Sequence, residues 1–208
     1  VRDRVRAAYG IDATVLPAPH AIAGGDEHEV AALTDWADAG FHLVVSRLLP
    51  YKNVEVVVAA FAGMPSRRLV VVGDGPGRAG LVRDLPTNVR VVSGVSDAEL
   101  RWIYARARAL VAPSLEDYGL TPLEAASFGV PTLALEAGGY LDTVAPRRSG
   151  LFFAEPTPAA VTAAVEAGER HTWSPEVIRA HAARFSQEEF VATLRRYVAE
   201  LAEEPRSR

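Results

Sequence analysis

The sequence predicts an α/β fold, a doubly wound parallel sheet with helices on both faces. Two observations carry this. Short runs rich in Val and Leu alternate with amphipathic helical stretches along most of the chain, the order expected of successive βαβ units. Several of these runs are apolar on both faces, as strands buried between two helical layers must be. At 208 residues and 49% hydrophobic content the chain can bury one full core, and no composition break divides it.

In chain order, Arg2–Tyr9 reads as a helix already under way. Strands are expected at Thr14–Leu16, His42–Ser46, Arg68–Val72, Val89–Val92, Ala109–Ala112, Thr132–Leu135 and Leu151–Phe153. Helical patterns fill His28–Ala37, Val54–Ala62, Gly77–Leu85, Asp97–Ala105, Pro122–Phe128 and Pro158–Ala167. Ser96 before Asp97 reads as a helix start, and Pro122 suits a first helical position. From Ser174 to Leu201 the pattern is helical throughout. Ser186 followed by Glu189 forms a capping box, so two closing helices are expected.

Composition excludes several classes of function. A formal charge of −4, with the 22 basic residues scattered, argues against a nucleic-acid or anionic-membrane surface. The chain has no cysteine, which rules out disulfides and thiolate metal sites and fits a reducing, cytoplasmic setting. No apolar run is long enough to cross a bilayer, and no signal peptide opens the chain. It begins at Val1, and its only methionine is Met64, so a fragment lacking an N-terminal part is expected.

The most informative stretch is Pro113 to Ala125, where an apolar strand ends, a glycine turn follows and a helix begins. A helix N-terminus offers free N–H groups and partial positive charge to phosphates. Glu116 and Glu124 offer acceptors to sugar hydroxyls, and Gly119 lets a backbone approach a ligand without a Cβ in the way. The plainer reading of Glu124 is a capping box with Thr121, and of Glu116 a solvated loop acid. Arg47 and Lys52 likewise suit a surface turn after Pro50-Tyr51. Gly75 to Gly80 fits G-x-G-x-x-G, but no acid ends the following strand, so a dinucleotide site is disfavoured. The chain has no Asp-x-Asp, its five histidines share no ligand spacing, and no Ser–His–Asp set can be assembled, so no metal and no cofactor is expected.

In their order these motifs resemble the retaining glycosyltransferases of family 4 (group 1), in the C-terminal, donor-binding domain of the GT-B fold. The residues concerned are Glu116, Tyr118, Gly119 and Glu124 in an E-x-x-x-x-x-x-x-E register; Arg47 and Lys52; Gly73-Asp74-Gly75-Pro76; Gly94-Val95-Ser96; Gly129-Val130-Pro131; and Gly138-Gly139 with Asp142. Ser46 stands where the family usually has glycine, and Asp142 where glutamate is commoner. The resemblance covers nearly the whole chain and implies a Rossmann-like domain binding a nucleotide-diphosphate sugar. Arg47, Lys52 and Glu116 would be its catalytic residues. Arg47 and Lys52 would grip the diphosphate with the N–H groups near Tyr118, Gly119, Leu120 and Thr121. Glu116 would accept hydrogen bonds from the donor sugar, Glu124 from the ribose, and Val95 would meet the base through its main chain. Gly73, Gly75, Pro76 and Ser114 would complete the donor site.

The resemblance further implies three parts. Residues 1–22 would be a passage from a missing N-terminal, acceptor-binding domain, 23–173 the donor domain, and 174–208 helices returning towards the missing domain. The expected reaction is sugar transfer to an acceptor hydroxyl with retention, mannosyltransferase-like by the wording of Glu116 to Pro122, using a GDP- or UDP-sugar. The isolated chain is expected to be inactive, and the full-length enzyme to be cytoplasmic, open to peripheral contact with the inner membrane surface. A nucleotide-sugar epimerase, which would turn over its sugar nucleotide without an acceptor, and a non-catalytic sugar-nucleotide-binding module are the alternatives.

Overall fold

The computed structural model describes residues 2–22 and 24–203. Within them, strands β1 (Phe41–Val45), β2 (Leu69–Val72), β3 (Val89–Val92), β4 (Ala107–Ala112), β5 (Thr132–Leu135) and β6 (Gly150–Phe153) form a sheet in the order β3-β2-β1-β4-β5-β6. Every neighbouring pair is parallel. The strand order reverses between β1 and β4, which opens a crevice at the carboxyl ends of those two strands.

The helices are α1 (Arg2–Tyr9), α2 (Val54–Ala62), α3 (Arg78–Leu81), α4 (Asp97–Arg106), α5 (Leu120–Ser127), α6 (Tyr140–Thr143), α7 (Pro158–Arg170), α8 (Pro175–Ala183) and α9 (Gln187–Glu203). Alternate strand residues feed two cores. Val44, Leu69, Val71 and Val111 pack under α2 and α7 with Phe61 and Val165. Phe41, Leu43, Val70 and Leu110 pack on the opposite face with Leu33, Trp102, Ile103 and Tyr104. Full burial of such side chains contributes about 1.5–3 kcal/mol each, which explains why neither strand face carries a polar stripe. The expected α/β Rossmann-like class, with helices on both faces, is the observed one. Outside these layers, Ile178 and Ala182 of α8 close on Ala126 of α5.

Four local expectations are corrected. Thr14–Leu16 pairs with no strand, and Val15 is largely exposed, so its β-branched run has no face to bury. His28–Ala37 is not an α-helix but a 3₁₀ helix over Ala31–Trp36. Its buried residues Val30, Leu33 and Trp36 recur every third position, the 3₁₀ period. Gly77–Leu85 shrinks to the four residues of α3, with Gly80 inside it weakening the helix. Pro122 is the third residue of α5, not the first. The caps follow the sequence better. Ser96 Oγ accepts from the Glu99 N–H at 3.3 Å while the Glu99 carboxylate accepts from the Ser96 N–H at 2.7 Å. Ser186 Oγ accepts from the Glu189 N–H at the start of α9.

Candidate functional site

A cleft of about 800 Å³ lies at the carboxyl ends of β1 and β4, a size suited to a small organic ligand. Arg47, Lys52, Gly73, Ser114, Glu116, Tyr118, Gly119, Leu120, Thr121 and Glu124 all line it. Gly75, Pro76 and Val95 do not.

The loop after β1 carries the two cations. It is laid down on the loop after β2: the Leu48 N–H donates to the Asp74 carbonyl at 2.8 Å and the Gly77 N–H to the Leu48 carbonyl at 2.9 Å. Gly73 is required there, because a Cβ on it would run into the Ser46 carbonyl oxygen. The glycine loop therefore supports the Arg47 segment, and Gly75 and Pro76 reach the cleft only through it. Arg47 is exposed, and no carboxylate among the described residues holds its guanidinium. Lys52 ends a 3₁₀ turn, after which Asn53 takes a left-handed conformation (φ 53°) that asparagine tolerates. Its Nδ2 donates to the Pro113 carbonyl at 3.1 Å, fastening the β1 loop to the β4 loop.

The loop after β4 carries the carboxylates. Glu116 Oε1 lies 2.5 Å from Lys52 Nζ and accepts a second bond from Ser114 Oγ at the same distance. Oε2 of Glu116 has no protein partner among the described residues. Ser114 Oγ also lies 3.0 Å from the Tyr140 hydroxyl. Burial pushes the Tyr140 phenol well up, and it remains a neutral donor or acceptor. The whole loop rests on Gly138-Gly139: the Gly139 N–H donates to the Glu116 carbonyl at 2.7 Å, and a Cβ on Gly139 would overlap the Tyr118 backbone.

Gly119 precedes α5 with φ 91°, and no side chain caps the helix, so its first N–H groups remain open to an external acceptor. The reason for glycine differs from the expected one. The space a Cβ would take is filled by the Tyr140 ring, 2.7 Å away, and not by a ligand approach. The capping-box reading of Glu124 is likewise overturned. Thr121 lies inside the helix, and the Glu124 carboxylate reaches away from the helix end to the Tyr104 hydroxyl, which donates to Oε2 at 2.8 Å. Burial raises the Glu124 pKa, opposed by the Tyr104 bond and by His20. Its other oxygen, Oε1, has no protein partner among the described residues. Each glutamate thus has one oxygen held by the protein and one open. Tyr118 donates to the Ala18 carbonyl at 2.8 Å, which ties the loop after β4 to the 10–22 segment along the cleft lining.

The dinucleotide alternative fails on geometry. Its glycines follow β2 instead of the first strand, none of Gly75, Gly77 and Gly80 lines the cleft, and the helix they open has four residues. Among the described residues no cluster of three or more histidines and carboxylates is placed to hold a metal. Sequence reasoning missed Tyr104, Tyr140 and Asn53 as parts of this site. Only Asn53, as a turn residue after Pro50-Tyr51-Lys52, left a local signal.

Comparison with known proteins bears on the family and the fold. The family model described as Glycosyl transferases group 1 matches residues 34–188. A GDP-mannose-dependent alpha-mannosyltransferase of Mycolicibacterium smegmatis is 40% identical over 135 residues, covering 61% of this chain and 36% of that protein. D-inositol 3-phosphate glycosyltransferase 2 of Catenulispora acidiphila is 34% identical over 173 residues, covering 71% of this chain and 40% of that protein. The matched stretches therefore cover well under half the length of these curated relatives. Among solved structures, sucrose-phosphate synthase from Thermosynechococcus elongatus shares the fold with a TM-score of 0.76 at 22% identity, over 96% of this chain and 56% of that one. Anabaena Alr3699/HepE, solved in complex with UDP, gives 0.66 at 19% identity over 85% of this chain and 56% of that one. With the family model matched across well over half its length, this chain belongs to the group 1 glycosyl transferases.

Proposed function

We propose that this chain is the donor-binding part of a retaining glycosyltransferase that uses a nucleoside-diphosphate sugar, GDP-mannose before others, and transfers the sugar to an acceptor hydroxyl. One observation carries the reading: two cations, two half-open carboxylates and an uncapped helix start line a single cleft at the sheet's reversal point. The preference for GDP-mannose rests on the name of the mannosyltransferase relative.

In this reading Arg47 and Lys52 hold the diphosphate together with the N–H groups opening α5. Glu124 Oε1 accepts from the ribose and Glu116 Oε2 from the sugar. In the reaction the bond from the anomeric carbon to the diphosphate oxygen breaks, and the acceptor oxygen bonds to that carbon. The charge gathering on the departing phosphate falls between the two cations, which stabilise it more than the ground state. The acceptor proton passes to a phosphate oxygen, and the configuration is retained. Fixed cations supply the positive charge, so no metal enters the scheme. The acceptor site belongs to an N-terminal domain. In this reading 23–173 is the donor domain, and 1–22 and 174–208 are the parts of the chain that serve the passage to the N-terminal domain; in support, α1 buries none of its side chains, and α9 exposes Leu194 and Val198. Among the described residues no helix is long and apolar enough to cross a membrane, and the lack of cysteine fits a cytoplasmic setting.

Calorimetric titration of the 208-residue chain with GDP, UDP, ADP and NAD, without metal, tests the reading. Saturable binding of one nucleoside diphosphate, weakened about tenfold or more in Glu124→Ala by loss of a charged hydrogen bond, is expected. Sugar transfer should appear only with the N-terminal domain present. Binding of NAD alone would overturn the proposal.

A further inference from the structure

Tyr104 does not itself line the cleft, yet its hydroxyl is placed to decide what Glu124 can do there. The ring is fully buried in α4, within the core that Ile103, Leu110 and Ala125 share. It stacks on Phe128 with centroids 5.5 Å apart and planes 14° from parallel. A ring clamped in this way leaves its hydroxyl one position. A buried phenol also needs a partner, and among the described residues the only one is Glu124 Oε2, at 2.8 Å. Glutamate has three side-chain torsions, and α5 alone fixes none of the outer two. The bond from Tyr104 removes that freedom.

We propose that Tyr104 is a positioning residue for nucleotide recognition: it anchors one oxygen of Glu124 so that the other meets the 2′,3′-diol of the donor ribose. This rests on the donor-site reading above and extends it to a residue outside the cleft. The anchoring does two things. It holds the carboxylate in place before the ligand arrives, which lowers the ordering cost of binding. It also occupies the inner oxygen, so that one oxygen alone is left to accept from the hydroxyls of the diol.

The test compares GDP with 2′,3′-dideoxy-GDP by calorimetry. The unsubstituted chain should favour GDP, and the ratio of the two affinities reads the ribose contact alone. In Tyr104→Phe, which keeps the ring and its stacking, that ratio should fall about fivefold or more while dideoxy-GDP binds as before, the effect of loosening a charged hydrogen bond. In a Glu124→Gln background the same substitution should leave the ratio unchanged, because the residue it acts through is already altered. A Tyr104→Phe chain that keeps the full preference for GDP, or one that loses both nucleotides equally, would overturn the proposal by reducing Tyr104 to a core residue. Should that variant fail to fold, Phe128→Leu unclamps the ring with the hydroxyl kept. A falling ratio there supports the proposal and an unchanged ratio overturns it. Failure of the unsubstituted chain to bind GDP, UDP or ADP, or to prefer the one it binds over its 2′,3′-dideoxy form, would instead remove the donor-site reading, and this inference with it.

Discussion

Replacing Lys52 with alanine should injure this protein twice, and the two injuries can be separated. Lys52 Nζ lies 2.5 Å from Glu116 Oε1, with the two side chains 13% and 23% exposed. Breaking a buried pair from one side costs about 3–5 kcal/mol, whereas exposed pairs contribute about 1 kcal/mol or less. Partial exposure and the surviving Ser114 bond place this case at about 1–2 kcal/mol, a fall in Tm of about 2–8 °C for a chain of this size. The second injury is to ligand binding. Losing one charge-assisted contact to a diphosphate costs about 1.5–3 kcal/mol, roughly 10- to 100-fold in affinity for GDP. Guanosine, which lacks the diphosphate, should bind as before. Arg47→Ala is the control: its guanidinium has no ion-pair partner among the described residues, so GDP affinity should fall without a change in Tm. Adding Glu116→Gln to Lys52→Ala removes the stranded carboxylate and should restore most of the Tm but none of the GDP affinity. Thermal melts alongside titrations with GDP and guanosine provide the readout. Equal loss of both ligands in Lys52→Ala, or a Tm fall in Arg47→Ala as large as in Lys52→Ala, would refute the division of labour.

Three further outcomes follow from the geometry. Gly139→Ala should abolish GDP binding, because the new methyl displaces the Tyr118 backbone and with it Glu116, while circular dichroism should show the sheet intact. Acid should destabilise the fold through His42, whose burial lowers its pKa to about 4. Between about pH 6.5 and 4 the unfolded chain takes up a proton that the folded one refuses, a loss of about 3 kcal/mol in all. Glu169, held below its usual range by Arg67, adds to the loss as pH falls through its lowered pKa, whereas protonating buried Glu124 works the other way. Urea unfolding at pH 7 and 4.5 should show a shallower pH slope in His42→Leu, and an unchanged slope would dismiss the His42 contribution. Finally, GDP binding should weaken as pH falls through the raised pKa of Glu124, and a Glu124→Gln chain, in which only the phosphate of GDP still titrates, should lose that part of the weakening; an unchanged pH profile would contradict the role given to Glu124.

What the sequence disclosed follows how local each cause is. β2 and β5 were plain because runs such as Leu69–Val72 and Thr132–Leu135 are apolar on both faces, a property of the residues themselves. The Ser96–Glu99 cap was equally plain, since both partners lie within one helical turn. The 3₁₀ helix at Ala31–Trp36 was misread because spacings of three and of 3.6 look alike over two turns. In the candidate site, the charged residues could be named in advance because their motifs keep a fixed spacing. Their supports could not. Tyr104 meets Glu124, and Tyr140 meets Ser114, only once α4, α5 and the loop after β5 have packed, and no periodicity records such a meeting. For the same reason Gly119 was seen as a glycine but credited with the wrong neighbour.

The reversal of strand order between β1 and β4 has a mechanical consequence. β1, β2 and β3 come from one unbroken stretch of chain and β4, β5 and β6 from the next, so the cleft straddles the seam between two successive halves. Lys52 and Arg47 stand on one bank, Glu116 and Glu124 on the other. A molecule gripped by all four, as proposed, would work as a rivet across that seam, adding resistance to the halves parting that grows with its concentration relative to its Kd. At this line, then, a tighter ligand would also mean a more cohesive protein.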